Sequence, residues 1–299
     1  MAERFSRESP QQRIYTAFAS LLAQEDAAID LVEAALLIAK LVYPEVDIAC
    51  YQSQLDALAR RVRGILGLSP TLPLNAMPTS PERKPHEFLQ ALNQVIFAEE
   101  GFCGNSGDYN NPDNSYLNKV LDNRAGIPLT LSLVYIEVAR RAGLSIEGIG
   151  LPYHFISRCQ YGEETYYIDA FHQGRLLSEQ ECIELVRRIA HRPLKLHHHW
   201  FEPVLRKQML GRMLNNLKRI YLERDAYEPA LAIYELMVLL HPQSAIHRRE
   251  RGLLHLQLKH YGRALHDLMA YRELAPEAKD RYEVLNYIKM IRQAIAMMN

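Results

Sequence analysis

His154 and Asp169 are the residues of this sequence best suited to chemistry. A carboxylate beside an imidazole fixes the ring's tautomer and raises its basicity, and a nucleophile at a helix N-terminus would complete a triad. The apolar run from Pro128 to Arg141 supplies such a helix start, with proline at an early position where its missing amide hydrogen costs nothing. His172 extends the pair to a two-histidine, one-carboxylate set of a kind that takes a metal. Nothing in the sequence turns His172 toward the cleft rather than solvent, so the reading favours a retained His–Asp pair with no metal and no cofactor. Cys103, in a loop able to fold over the helix start, is the tempting nucleophile, because the helix dipole and His154 would favour a thiolate there. Thr130 and Ser132 lie inside the helix, where a hydroxyl more often bonds a carbonyl one turn back. Cys159 takes the strand face opposite His154 and reads as structural. His197, His198 and His199 precede Trp200, but adjacent side chains diverge, and no single ordered metal site is expected there.

These groups need a scaffold, and the 299 residues are enough for two domains. A hydrophobic fraction of 48% and a charged fraction of 23% belong to a folded protein, and exclude a collagen, a disordered tail or a membrane bundle. A chain this long buries about three quarters of its surface, so neither disulfides nor metal are needed for stability. Cys50, Cys103, Cys159 and Cys182 form no CxxC pair. Glu3, Arg4, Arg7 and Glu8 leave no apolar core of signal-peptide type, and no apolar stretch reaches about 18 residues. The expected location is cytoplasmic, with reduced cysteines.

Along the chain, Gln12 to Arg63 is helical in pattern. Leu31, Ala34, Ala35 and Ile38 share one face, and Leu55, Leu58 and Val62 another. Gly64 to Pro85 holds Pro70, Pro73, Pro78, Pro81 and Pro85 and reads as a loop or strap. Helix resumes from His86 to Glu100, with Phe88, Leu89, Leu92 and Ile96 inward. Gly101 to Asn114 is a dense run of turn formers, followed by a short helix at Ser115 to Leu121. Gly143 stops the helix that Pro128 begins. Three strands are expected at Ile146 to Leu151, Tyr153 to Cys159 and Thr165 to Ile168, with a turn at Tyr161-Gly162-Glu163 and a helix over Glu179 to Ala190. In the last third, Tyr227, Ala230, Leu231, Leu240 and Pro242 recur as Tyr261, Ala264, Leu265, Leu274 and Pro276. All five offsets are 34 residues, the period of a tetratricopeptide helical hairpin.

The stretches GFCGN (101–105), SYLNKVLDNRAGIPLTLSLVYIEVARRAGL (115–144), LPYHFISR (151–158) and YIDAF (167–171) together resemble the SirB1 family of bacterial proteins. That resemblance implies a transglutaminase-like domain followed by tetratricopeptide-like repeats. It therefore implies an α+β, mainly helical fold: a cysteine-protease-like core with a small antiparallel sheet, then an all-α helical-hairpin region. The domains are expected at 1–192, with the central motif at 101–185, and at 205–299. Active members of the superfamily use a cysteine at the central helix N-terminus, a histidine on a strand and an aspartate on the next. The resemblance puts His154 and Asp169 on the last two positions and Pro128 on the first. Proline has no side-chain heteroatom, so the nucleophile is missing.

The reading is a non-catalytic binding or scaffold protein with a degenerate transglutaminase-like domain. The alternative is a thiol-dependent amide or acyl hydrolase, or acyl transferase, using Cys103 with His154 and Asp169. The expected partner is another protein or peptide, bound by the repeats or by the cleft; no membrane is implied. From Arg187 to Arg224, ten Lys or Arg face only Glu202 and Glu223. This segment is expected to dock on the chain's own acidic stretch, Tyr161 to Glu184, with an acidic protein partner as the alternative. Nucleic acid is disfavoured, because formal net charge is +0 and no aromatic stacking pattern accompanies the basic run.

Overall fold

Three short polar side chains open the first three long helices. Ser9 accepts the amide of Gln12, Asp30 those of Val32 and Glu33, and Asp47 those of Ala49 and Cys50. Each satisfies donors that a helix start leaves without an intrahelical partner. The computed structural model describes residues 9–68, 85–191 and 197–298. Most of the expected proline strap therefore lies outside the described residues, as do Glu3, Arg4, Arg7, Glu8, Arg192 and Lys195. The strap's two ends are helical: Gly64 lies inside one helix and Pro85 opens the next.

The first elements are α1 (Pro10–Leu22), α2 (Leu31–Lys40), α3 (Ile48–Ile65), α4 (Pro85–Asn93), β1 (Cys103–Gly104), α5 (Leu117–Asn123) and β2 (Ala125–Gly126). Then come α6 (Pro128–Ala142), β3 (Glu147–Ile149), β4 (Ile156–Tyr161), β5 (Glu164–Asp169), β6 (Arg175–Leu177) and α7 (Glu179–Ala190). The last are α8 (Arg206–Glu223), α9 (Tyr227–Leu240), α10 (Ala245–Gln257), α11 (Tyr261–Leu274) and α12 (Arg281–Met298). The chain divides into two compact units.

One unit comprises Asp30–Ala39 and Glu45–Met213. Its centre is α6, in which every residue except Arg140 is buried. A helix apolar on all sides belongs inside a core. Pro128 occupies its first turn and Gly143, at φ 103°, ends it. The antiparallel sheet runs in the order β3-β4-β5-β6. It lies between α6 and α7, with Ile149, Ile156 and Tyr167 packed against Cys182, Ile183 and Val186.

Three details differ from the sequence reading. The helix after Pro85 is not regular to Glu100: it widens into a π turn over Gln94–Glu99. Just before that turn, Asn93 accepts from Tyr135 Oη at 3.0 Å and donates to the Gly174 carbonyl at 3.0 Å, so its side chain is held at both ends. A fourth strand, β6, and a parallel pair, β1 with β2, also went unread. Two or three residues are too few to display the two-residue alternation that identifies a strand.

The other unit comprises Met1–Ile29, Lys40–Pro44 and Leu214–Asn299. Helices α9 and α11 are both 14 residues long and begin at Tyr227 and Tyr261. Each is preceded by a left-handed residue at the same register, Asp225 (φ 53°) and Lys259 (φ 59°). Ala230 and Ala264 are fully buried, and such small side chains let neighbouring helices approach closely. The contacts group α1 with these repeat helices. Among the described residues no helix is long and apolar enough to cross a membrane.

Candidate active site

Asp169 closes β5 and organises everything around it. Its Oδ1 accepts the amides of Phe171 at 3.1 Å and His172 at 3.3 Å, capping the short 3-10 turn Ala170–His172. Its Oδ2 meets His154 Nε2 at 3.1 Å and His172 Nδ1 at 2.8 Å. Burial alone would raise the Asp169 pKa, but the hydrogen bonds and proximity of the two imidazoles outweigh it and hold the carboxyl below its usual value. The sequence left the direction of His172 undecided; its backbone is turned by the same carboxylate that its ring contacts.

His154 does not lie on a strand, as the sequence had suggested. It stands two residues before β4, in a tight loop whose amide bonds back to the Leu151 carbonyl at 3.3 Å. Tyr153 takes φ 61° there, a conformation that a bulky residue adopts only under constraint. That constraint includes Arg212 of α8, whose Nη2 donates to the carbonyls of Leu151 at 3.0 Å and His154 at 2.9 Å. Gly150 makes room for it, since a Cβ there would sit 2.7 Å from Arg212 Nη1. Arg212 belonged to the basic segment expected to dock on the acidic stretch. It binds backbone carbonyls instead, while Lys218 pairs with Glu250 and Arg219 with Glu223. No pattern in the sequence marks an arginine that braces a loop some sixty residues away.

Pro128, His154 and His172 line a cleft of about 500 Å³. Tyr109, Tyr153 and Phe171 give it aromatic walls, Ser106 joins them, and Leu185, Arg188 and Ile189 of α7 close one side. The turn-rich loop after β1 supplies Ser106 and Tyr109. It is held by Asn105, which donates to Asn114 Oδ1 at 3.1 Å, and by Asn114, which donates to the Asp108 carbonyl at 2.6 Å.

Cys103 is not brought to this site. It is exposed on β1, paired with Ala125, and is absent from the residues lining the cleft. The next residue, Gly104, faces Phe171 so closely that a Cβ would sit 2.6 Å from the ring. Alternation along the strand therefore turns Cys103 to the other face. Among the described residues, the clustered ligand atoms are those of His154, Asp169 and His172, with no cysteine. Thr130 is fully buried, its hydroxyl donating to the Asn114 carbonyl at 2.7 Å and accepting the Ile127 amide at 3.2 Å. Ser132 is buried too and does not line the cleft. Burial pushes the Cys159 thiol up to about 11, as expected of a structural cysteine. The His197 and His199 rings sit 5.2 Å apart beside Trp200, without a third clustered ligand among the described residues.

The profile of the transglutaminase-like superfamily matches residues 49–215, more than half of the chain. The chain belongs to that superfamily. Its His–Asp pair stands at the expected catalytic position, and the site is a degenerate one in which no cysteine accompanies the pair. A tetratricopeptide-repeat profile matches residues 217–289. A UPF0162 protein of Xylella fastidiosa (strain Temecula1) is 30% identical over 272 residues, 89% of this chain and 91% of its own. F-box only protein 21 of Homo sapiens is 32% identical over 257 residues, 77% of this chain and 40% of that protein. Protein SirB1 of Salmonella typhimurium is 27% identical over 192 residues, 64% of this chain and 71% of its own.

Proposed function

We propose that this superfamily member is a cytoplasmic, non-catalytic binding or scaffold protein of the SirB1 type. Its transglutaminase-like cleft, within 1–192, holds rather than transforms its ligand, and its repeats, within 205–299, take a protein or peptide. The observation that carries this reading is Pro128, which lines the cleft with His154 where the superfamily places its nucleophile. A cysteine there attacks because an imidazole and a helix N-terminus favour its thiolate. Proline can neither ionise nor attack. The aromatic walls suit an apolar or aromatic side chain, and Arg188 at the rim suits an accompanying carboxylate. Stacked helical hairpins present surfaces of the kind that bind peptides or helices.

The test is an electrophilic thiol probe followed by peptide mapping, with glutamine-containing, amide and ester substrates assayed in parallel. The expected result is slow labelling spread over the exposed Cys50 and Cys103, without turnover. Fast, His154-dependent labelling of Cys103, with turnover lost in Cys103→Ser, would overturn the reading in favour of a thiol enzyme.

A further inference from the structure

His172 changes what the His–Asp pair can do. A pair of groups is a hydrogen bond, but three donor atoms converging from two sides are a coordination set. His154 Nε2, Asp169 Oδ2 and His172 Nδ1 all lie within 4.8 Å of one another. The two nitrogens stand 3.1 and 2.8 Å from the shared oxygen. A cation held at about 2.0–2.2 Å by each ligand separates neighbouring donors by roughly 3.0–3.5 Å. The two oxygen–nitrogen separations are already close to that, and the nitrogens, within 4.8 Å of each other, close on the ion by a swing of the His172 ring. The half-exposed His172 ring, with a side-chain exposure of 53%, has room for that movement, while His154 and Asp169 are fixed in the wall.

The groups that orient the carboxylate are already in place. The amides of Phe171 and His172 take Asp169 Oδ1 and so aim Oδ2 at the two rings. Outer partners of this kind orient a ligand before the ion arrives. The cleft supplies the entry path, because His154 and His172 both line it. We propose that His154, Asp169 and His172 bind a divalent transition metal, with an open coordination position facing the cleft. The ligand chemistry selects the class. Two imidazoles and one carboxylate suit zinc or ferrous iron, whereas calcium and magnesium require more oxygen donors and cuprous copper prefers sulfur. Binding is simple coordination, with no change of oxidation state, and any proton on the two ligating nitrogens is released to solvent. The sequence pointed away from this site only because it could not aim His172. The proposal is independent of the binding-protein reading: a metal could sit here whether or not a peptide enters the cleft.

The experiment uses the full chain, freed of metal with a chelator and titrated with Zn²⁺ by calorimetry. Co²⁺ is added in parallel, and its visible spectrum reports the coordination geometry. The expected result is one site per chain, a higher melting temperature with Zn²⁺, and affinity roughly 100-fold weaker in His172→Ala. His172 is half-exposed, so its removal leaves the fold intact and melting of the metal-free variant verifies this. His154→Gln should lose binding to a similar extent. A His197→Ala/His199→Ala double variant should bind as the parent does. Absence of stoichiometric binding, equal affinity in His172→Ala, or loss of the site in the double variant would overturn the proposal.

Discussion

Asp169 in the cleft and Asp267 among the repeat helices are each 1% exposed, yet their charges are met by different chemistry. Asp267 of α11 receives a two-pronged bond from Arg251 of α10, at 2.6 Å to each oxygen, and Arg248 lies 3.4 Å away. Arg251 also reaches Glu235 of α9 at 2.5 Å, so one guanidinium ties three helices together. A guanidinium keeps its proton throughout the physiological range and holds a carboxylate in a rigid fork, which suits a permanent strut. Asp169 has imidazoles instead, one buried and one half-exposed on an open cleft. Imidazoles exchange protons and ligate metals near neutral pH. Equal burial thus serves architecture in one unit and retains reactive groups in the other.

Removing each aspartate separates the two roles most strongly. Asp267→Ala leaves Arg251 without its main partner and is expected to cost about 3–5 kcal/mol of stability, measured by urea denaturation. Asp169→Asn keeps the side-chain shape and some hydrogen bonding, so about 1–2 kcal/mol is expected. Comparable losses from both substitutions would erase the distinction.

Acid should act on both carboxylates in the same direction. Burial would raise each pKa, but hydrogen bonds and charges, from His154 and His172 for Asp169 and from Arg251 and Arg248 for Asp267, leave each below its ordinary value. The stability they add is complete above about pH 4, near the unfolded value, and is lost as pH falls through the depressed folded values. Urea midpoints measured from neutral to strongly acidic pH should therefore drop below about pH 4. The drop should be shallower in Asp169→Asn, and slopes identical to the parent would contradict the assignment.

The smallest expected effect is at Tyr153, whose φ of 61° beside His154 is matched in the other unit by Lys259 at φ 59° between α10 and α11. Tyr153→Gly removes the left-handed penalty and is expected to stabilise by up to about 1 kcal/mol, less the extra freedom of glycine in the unfolded chain. Destabilisation on thermal melting would mean that the exposed tyrosine ring contributes more than its backbone costs.

Strong local patterns carried the sequence reading furthest. The 34-residue spacing announced α9 and α11, and the apolar run from Pro128 to Gly143 announced α6, because helical periodicity and end signals are written within one element. The His154–Asp169 pairing was legible through the order of the strands together with the resemblance to a family, since no local pattern joins residues on separate segments. What stayed hidden depends on distant partners. His172 is aimed by a cap formed after β5 ends, Arg212 approaches the His154 loop from α8, and Asn93 braces Gly174 from beside a π turn. The left-handed Tyr153, which moves His154 off the strand, is likewise a product of tertiary constraint, for tyrosine has no local preference for that conformation.

The most direct test of the central claim is to put the missing thiol back. Pro128→Cys places a cysteine at the first turn of α6, on the cleft wall shared with His154. Its reaction with iodoacetamide near neutral pH should be at least about tenfold faster than that of Cys50 or Cys103 in the same molecule, and should fall to their level when His154→Gln is added. Equal rates at all three cysteines, or fast labelling that survives the loss of His154, would contradict the account of this cleft as a transglutaminase-like site that lacks only its nucleophile.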